Sequence, residues 1–330
     1  MARLAFCCGR SPDSDSSTNR QSRKKGGIEV NAVLEGLGYS IGQKLGEGTF
    51  TEVRAAVHRK QPYKLAVKIV DRQQTDESRA TVPVTVFQPE LEIIGKMKHP
   101  NIIQLFQVVQ AGRYLYIFME RAEQGDLLEY IRTNGALSLP IAKQMFQELS
   151  EAVAHCHLNG VAHRNIRCEN VLLDANMRVK LTDFGYACYC HDRYTGARLL
   201  SSTYCGNPTY SAPEVLGREP YEAKMADAWS LGITLFIMVT STMPFDESRL
   251  GVLLGNARSR QHYIADLISG HVPKDCQLLI GQLMEPDVVV RLPVSKIADN
   301  YWFKDATRKS RSQIMRRSFH ASLSPYEQLQ

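Results

Sequence analysis

Eight cysteines are scattered through the 330 residues, yet there is no CxxC pair and no cysteine–histidine array with zinc spacing. The positions, Cys7, Cys8, Cys156, Cys168, Cys188, Cys190, Cys205 and Cys276, therefore exclude a zinc-finger reading and favour reduced, intracellular thiols. Long apolar runs are also missing. No stretch approaches the ~18 consecutive residues that span a bilayer, and Met1-Ala2-Arg3-Leu4-Ala5-Phe6 is too short for the apolar part of a signal peptide. The expected location is the cytosol or nucleus. No internal repeat, collagen-like period or Gln-rich tract is present.

An excess of one charge is absent from the middle of the chain. Residues 1–27 and 304–330 each carry six Lys/Arg against two acids, so each end is +4 within a total of +6. The interior is left at about −2, so the alkaline balance belongs to the ends and a nucleic-acid-binding core is not implied. Residues 9–27, rich in Ser, Asp, Arg, Lys and Gly, hold too little apolar surface to offset the entropy of ordering. Beyond Trp302 and Phe303, the last apolar anchors, Arg308, Lys309, Arg311, Arg316 and Arg317 follow among serines.

Between these ends the pattern changes once. Tyr39–Ile41, Leu65–Val70 and Leu115–Met119 are short β-branched or aromatic runs that predict strands. From Glu120 onward the apolar spacing is helical, as in Ile141 to His157 and Ala226 to Val239.

The segment His163-Arg164-Asn165-Ile166-Arg167-Cys168-Glu169-Asn170 resembles the protein-kinase catalytic loop H-R-D-x-x-x-x-N at every defining position except Asn165, which stands where the family has aspartate. Gly46-Glu47-Gly48-Thr49-Phe50-Thr51-Glu52-Val53 resembles the glycine-rich phosphate loop, with Thr51 in the third glycine's place. Leu65-Ala66-Val67-Lys68 is similar to the V-A-I-K strand, and Asp183-Phe184-Gly185 matches D-F-G, 13 residues after Asn170 and 29 before Ala212-Pro213-Glu214, which resembles A-P-E. Asp227-Ala228-Trp229-Ser230-Leu231-Gly232 looks like the start of the family's central large-lobe helix, and Arg291 is placed to pair with Glu214. Within the family the likeness is to the testis-specific serine kinases, carried by Glu123-Gln124-Gly125-Asp126-Leu127-Leu128, Cys168-Glu169-Asn170 and Ser241-Thr242-Met243-Pro244-Phe245-Asp246.

The resemblance implies an α+β, two-lobed protein-kinase fold over residues 39–303, with a small β-rich N-lobe over about 39–119 and a larger helical C-lobe over about 120–303. Residues 1–38 are expected to form a disordered basic tail and 304–330 a second basic tail. It implies ATP and magnesium, held by Gly46, Gly48, Val53, Ala66, Lys68, Glu90, Glu120, Ala122, Asp126, Asn170 and Asp183, with Asn170 and Asp183 on the metal. Lys68 would ion-pair with Glu90, Glu92 being the alternative. Pro89 deletes a helical hydrogen bond and clashes one turn back, and Val84-Thr85-Val86 are poor helix formers, so this helix is expected to be kinked or to start late. The catalytic positions are Asn165, Arg167, Lys68 and Asp183, and the expected phosphosite is Thr203, facing Arg164.

Three departures gather where a substrate hydroxyl would be activated. Asn165 replaces the proton acceptor, Arg167 the lysine that contacts the γ-phosphate, and Asn207 the Ser/Thr that bridges them. A carboxamide accepts no proton at neutral pH, although its oxygen can orient a hydroxyl. General base catalysis is worth ~10²–10⁴ in rate, or about 2.7–5.4 kcal/mol. A kinase turnover of ~1–100 per second would fall to roughly 0.01–1. Two functions stay open: a slow serine/threonine kinase acting on a protein substrate, or a pseudokinase, an ATP-binding scaffold that regulates a protein partner. Cys7 and Cys8 beside Arg3 and Arg10 are candidates for a palmitoyl anchor.

Overall fold

A computed structural model describes residues 32–47, 51–72, 87–192, 194–245, 255 and 272–304. The chain divides into two compact units. One holds the described residues up to Arg72 together with Gln107–Phe118; the other holds 87–106 and the described residues from Met119 onward. The basic tails, with Cys7 and Cys8, and Gly48 of the glycine-rich loop lie outside the described residues.

The first unit is built on a five-stranded sheet whose strands are β1 (Tyr39–Glu47), β2 (Thr51–His58), β3 (Gln61–Asp71), β4 (Leu105–Ala111) and β5 (Tyr114–Glu120), in the order β1-β2-β3-β5-β4, with β1–β2 and β2–β3 antiparallel. Its apolar residues from alternate strand positions meet in one cluster of Tyr39, Ala56, Leu65, Val67, Val109, Ala111, Tyr116 and Phe118. Tyr39 stacks on Phe118 with ring centroids 3.7 Å apart and donates its hydroxyl to Gln107 Oε1 at 2.7 Å. Residues 32–37, which sequence placed in the tail, form a short helical segment. Leu34 anchors this segment, buried in the same cluster, while Leu37 is exposed. The sheet register puts Gly46 opposite Val53 and Val53 opposite Lys68, with Ala66 opposite Ala55. Lys68 and Ala66, two apart, share one face of β3.

The second unit is helical. Helix α1 (Gln88–Lys96) starts late, with Phe87 at its N-cap and Pro89 in the first turn. There the missing N–H removes no bond that the helix would otherwise make. Helix α2 (Leu127–Asn134) is followed by α3 (Leu139–Leu158), α4 (Pro213–Leu216), α5 (Ala223–Thr240) and α6 (Lys274–Leu283). Ala142, Met145, Phe146, Leu149, Val153 and Cys156 form the buried stripe of α3. By length and composition α5 is apolar enough to cross a membrane, contrary to the sequence reading, but most of it is buried in this unit's core. Its Gly232 admits α6: a Cβ there would lie 2.6 Å from Met284 Cγ. Trp302 and Phe303 pack on Phe146, as the apolar anchors were expected to do.

Two short ribbons frame the loops that matter for function. Strand β6 (Val161–Ala162) pairs with β9 (Cys188–Tyr189), and β7 (Val171–Leu173) with β8 (Val179–Leu181). The first leads into His163 and the second into Asp183.

Candidate active site

The loop after β6 is anchored from beneath by Asp227, fully buried near the start of α5. Its carboxylate accepts the backbone N–H of His163 at 2.8 Å and of Arg164 at 2.7 Å, and His157 Nε2 is 2.8 Å away. Hydrogen bonds to a buried carboxylate are among the stronger ones in proteins. They hold Arg164 in a left-handed conformation, φ 60°, and Asp183 across the site has φ 62°. Two non-glycine residues in that region mark stored strain where a loop must aim side chains. His163 Nε2 lies 3.0 Å from Thr182 O, and its ring meets Phe184 edge-on at 4.7 Å. That carbonyl fixes the proton on Nε2, so Nδ1 accepts Asn165 N–H at 3.3 Å. Burial holds the His163 imidazole below its ordinary range.

Asn165 is 8% exposed, and its Nδ2 donates to Asp183 Oδ2 at 2.8 Å. An ionised carboxylate has no hydrogen to give, so the amide nitrogen must face it. Asn170 Nδ2 donates to Asn165 O at 2.8 Å, and Thr182 N to Asn170 O at 3.0 Å. Asn165, Asn170 and Asp183 thus form one hydrogen-bonded group. A Cβ on Gly185 would lie 3.3 Å from Asp183 Oδ1 and 3.8 Å from Glu90 Oε2, which puts the Glu90 carboxylate beside the Asp-Phe-Gly turn. Lys68 is fixed in the other unit by its register with Val53. Glu92, the alternative partner for Lys68, bridges to Lys96 one turn on at 2.7 Å.

The donor set fits magnesium. Asp183 supplies carboxylate oxygen, and with Nδ2 of Asn170 committed, its Oδ1 remains as a second hard ligand. Among the described residues no group of three or more His, Cys, Asp or Glu could cage a metal. Magnesium commonly takes one or two protein oxygens and completes its shell from phosphates and water.

At the acceptor end the substituted residues turn to neighbours. Arg167 Nη2 hydrogen-bonds Glu169 Oε1, and Arg167 Nε is buried with no acceptor. Tyr210, whose phenol burial pushes up, reaches Glu169 Oε2 at 3.4 Å. Asn207 Oδ1 accepts from Thr209 N at 3.0 Å and Thr209 Oγ1 at 2.9 Å, which caps the short turn Pro208–Tyr210. The Asn-Pro-Thr order carried that capping signal in the sequence. Gly206, φ 88°, lies against the catalytic loop: a Cβ there would sit 2.8 Å from Arg164 O.

The remaining sequence candidates are spread more widely. Glu120 bridges to Lys180 at 2.5 Å. Asp126 caps α2 by accepting Glu129 N–H at 2.9 Å, and burial pushes its carboxyl up. Ala122 is half-buried in the segment between β5 and that cap. Thr203 is exposed, and its carbonyl accepts the Tyr221 hydroxyl at 2.9 Å. Arg164 is engaged elsewhere: Nη1 donates to Ser201 Oγ at 2.8 Å and Nε to Tyr186 O at 2.6 Å. Sequence reasoning missed Ser201, Tyr221 and the anchoring role of Asp227, since each acts across more than 15 residues. Glu214 and Arg291 do pair, at 2.6 and 2.9 Å, with the guanidinium also donating to Glu285 O and Met225 O.

Comparison with known proteins agrees with this geometry. The family model described as protein kinase domain matches residues 39–303. Mouse testis-specific serine/threonine-protein kinase 2 is 39% identical over 284 residues, 85% of this chain and 77% of that protein. Human testis-specific serine/threonine-protein kinase 1 is 38% identical, covering 85% and 76%. Mouse testis-specific serine/threonine-protein kinase 3 is 35% identical, covering 80% and 96%.

Proposed function

We propose that this chain, which belongs to the serine/threonine protein kinase family, binds ATP with magnesium and transfers phosphate to protein serine or threonine slowly. The observation that carries the reading is the Asn165 carboxamide donating to Asp183 at 2.8 Å. The side chain in the proton acceptor's position is thus spent as a donor on the metal-binding carboxylate, and it has no basicity to offer the substrate hydroxyl.

Asp183 and the Asn170 oxygen would hold magnesium, Lys68 and Glu90 would serve the phosphates, and Gly46, Gly48, Val53 and Ala66 would lie along the nucleotide. Held there, the ion would supply positive charge to the phosphate oxygens. The chain's own residues do the rest. Asp227 fixes the backbone of the loop that carries Asn165, and Asn170 ties that loop to the segment before Asp183. Asn165 can orient a hydroxyl through Oδ1 while its Nδ2 is engaged, so positioning persists and proton removal is left to solvent. Because phosphoryl transfer depends mostly on positioning and electrostatics, the loss should sit near the lower end of the general-base range, about 10²-fold.

A second reading, an ATP-binding scaffold with no turnover, is favoured by Arg167. Its guanidinium rests on Glu169, a contact that competes with any γ-phosphate. Melting curves with and without magnesium–ATP, run beside a radiometric assay of the native chain and Lys68→Met, separate the readings. A stabilising shift with phosphate transfer above the Lys68→Met level supports the kinase, and a shift with equal signals supports the scaffold. Absence of any shift removes both.

A further inference from the structure

We propose that Cys188 and Cys190 are a redox-active dithiol that hydrogen peroxide closes reversibly into a disulfide, loosening the strand that leads into the catalytic loop. The pair sits in Cys188-Tyr189-Cys190, just beyond Asp183-Phe184-Gly185. Residues two apart on an extended strand face the same side. Here Cys190 Sγ lies 4.0 Å from Cys188 O, which turns the second thiol back toward the first residue. Cys188 is half-buried and open to a small oxidant, whereas Cys190 is 5% exposed.

The surroundings divide the two roles. The S–H of Cys190 holds the Cys188 thiol below its usual range against the pull of burial, and the Arg164 guanidinium adds to this while Asp227 opposes it. The neighbouring Cys188 thiol and burial push Cys190 up, with Asp227 acting the same way and Lys224 against it. A partly exposed thiol beside a cation is the reactive kind, and a buried neighbour is placed to resolve it. A soft-metal site is the competing use of such a pair. It fails for want of ligands, since no third Cys, His, Asp or Glu joins them among the described residues.

The chemistry closes with peroxide alone. Cys188 thiolate attacks the O–O bond, is oxidised to the sulfenic acid, and the departing hydroxide takes up a proton to become water. Cys190 sulfur then attacks the Cys188 sulfur, and the Cys190 proton leaves with the hydroxyl group as a second water. Two thiols lose two hydrogens, one peroxide is reduced, and the S–S bond forms.

Structure couples this bond to the loop. Cys188 pairs with Ala162 and Tyr189 with Val161, and Cys190 N donates to Gly160 O at 2.8 Å. Extended residues two apart have Cα atoms about 6.6 Å apart, near the ~6.8 Å upper end that a disulfide tolerates. Closure therefore shortens the strand and weakens its pairing with Val161–Ala162, which run directly into His163. A bridge made under such constraint is readily reduced.

The test uses the full native chain, so it does not depend on a variant folding. The protein is exposed to hydrogen peroxide, blocked with N-ethylmaleimide and digested with trypsin, which cuts after Lys180 and Arg193. The expected result is a single peptide, 181–193, that has lost two hydrogens and both maleimide adducts. Dithiothreitol restores both thiols, and the amides of Val161 to Asn165 exchange faster in the oxidised chain. In Cys190→Ser, Cys188 should instead accumulate as a dimedone-trapped sulfenic acid. A disulfide joining Cys188 to Cys205, or Cys188 running on to sulfinic acid while Cys190 stays alkylated, overturns the proposal.

Discussion

Replacing Asn165 with aspartate puts two carboxylates where a donor now meets an acceptor at 2.8 Å. The substitution removes one charge-assisted hydrogen bond, worth about 1.5–3 kcal/mol. It also sets two negative charges roughly 4 Å apart, a repulsion of about 4 kcal/mol at an effective dielectric of 20. Rotation of the new side chain, or uptake of a proton or cation, relieves part of this. With divalent ions chelated, Asn165→Asp should be less stable by about 2 kcal/mol or more, seen as a melting midpoint lower by about 4 °C or more. On the proposed function, magnesium with ATP would supply the charge that the pair lacks, so the variant's stabilisation on adding them should exceed the native chain's. Paired melts in chelator and in magnesium–ATP read both effects. Equal midpoints in chelator, or equal increments from magnesium–ATP, would refute the reasoning.

Three further outcomes follow from the same structure. Arg291→Met strands the Glu214 carboxylate beside a fully buried position and should lower stability by about 3–5 kcal/mol in denaturant titration. Gly206→Ala forces a Cβ at φ 88° to within 2.8 Å of Arg164 O. A loss of about 1–3 kcal/mol is expected, with protease sensitivity rising at the catalytic loop. The folded chain resists a proton on His163 that the unfolded chain accepts near pH 6.5. Stability is therefore fully present above that pH and declines below it. His99, also held low by burial, has the same sign. Melting midpoints measured from about pH 7.5 down to about pH 5 should fall, and His163→Gln should flatten the slope.

Local chemistry made much of this legible before any coordinates. Pro89 announced a helix kinked or beginning late, and Leu65-Ala66-Val67-Lys68 announced a buried strand carrying an ammonium. The Glu214–Arg291 pair came from family resemblance, and the structure contains it. What stayed hidden depends on contacts that no spacing encodes. The bond from Asn165 to Asp183 spans 18 residues, Arg164 reaches Ser201 across 37, and Asp227 holds His163 across 64. Composition showed that Asn165 is no base; only the fold shows what its amide does instead. Asp126 and Asn207 had capping signals in plain sight, because Asp precedes a helical run and Asn precedes Pro. Their resemblance to nucleotide-site and bridging residues obscured that simpler role.

The most direct test of the account is turnover. Native chain, Asn165→Asp and Lys68→Met are assayed side by side with radiolabelled ATP and magnesium on a serine/threonine peptide. The account predicts native transfer above the Lys68→Met baseline but far below ordinary kinase rates, and a rise of about 10²-fold in Asn165→Asp. Native turnover already in the ordinary range of ~1–100 per second, with no gain from the aspartate, would contradict it.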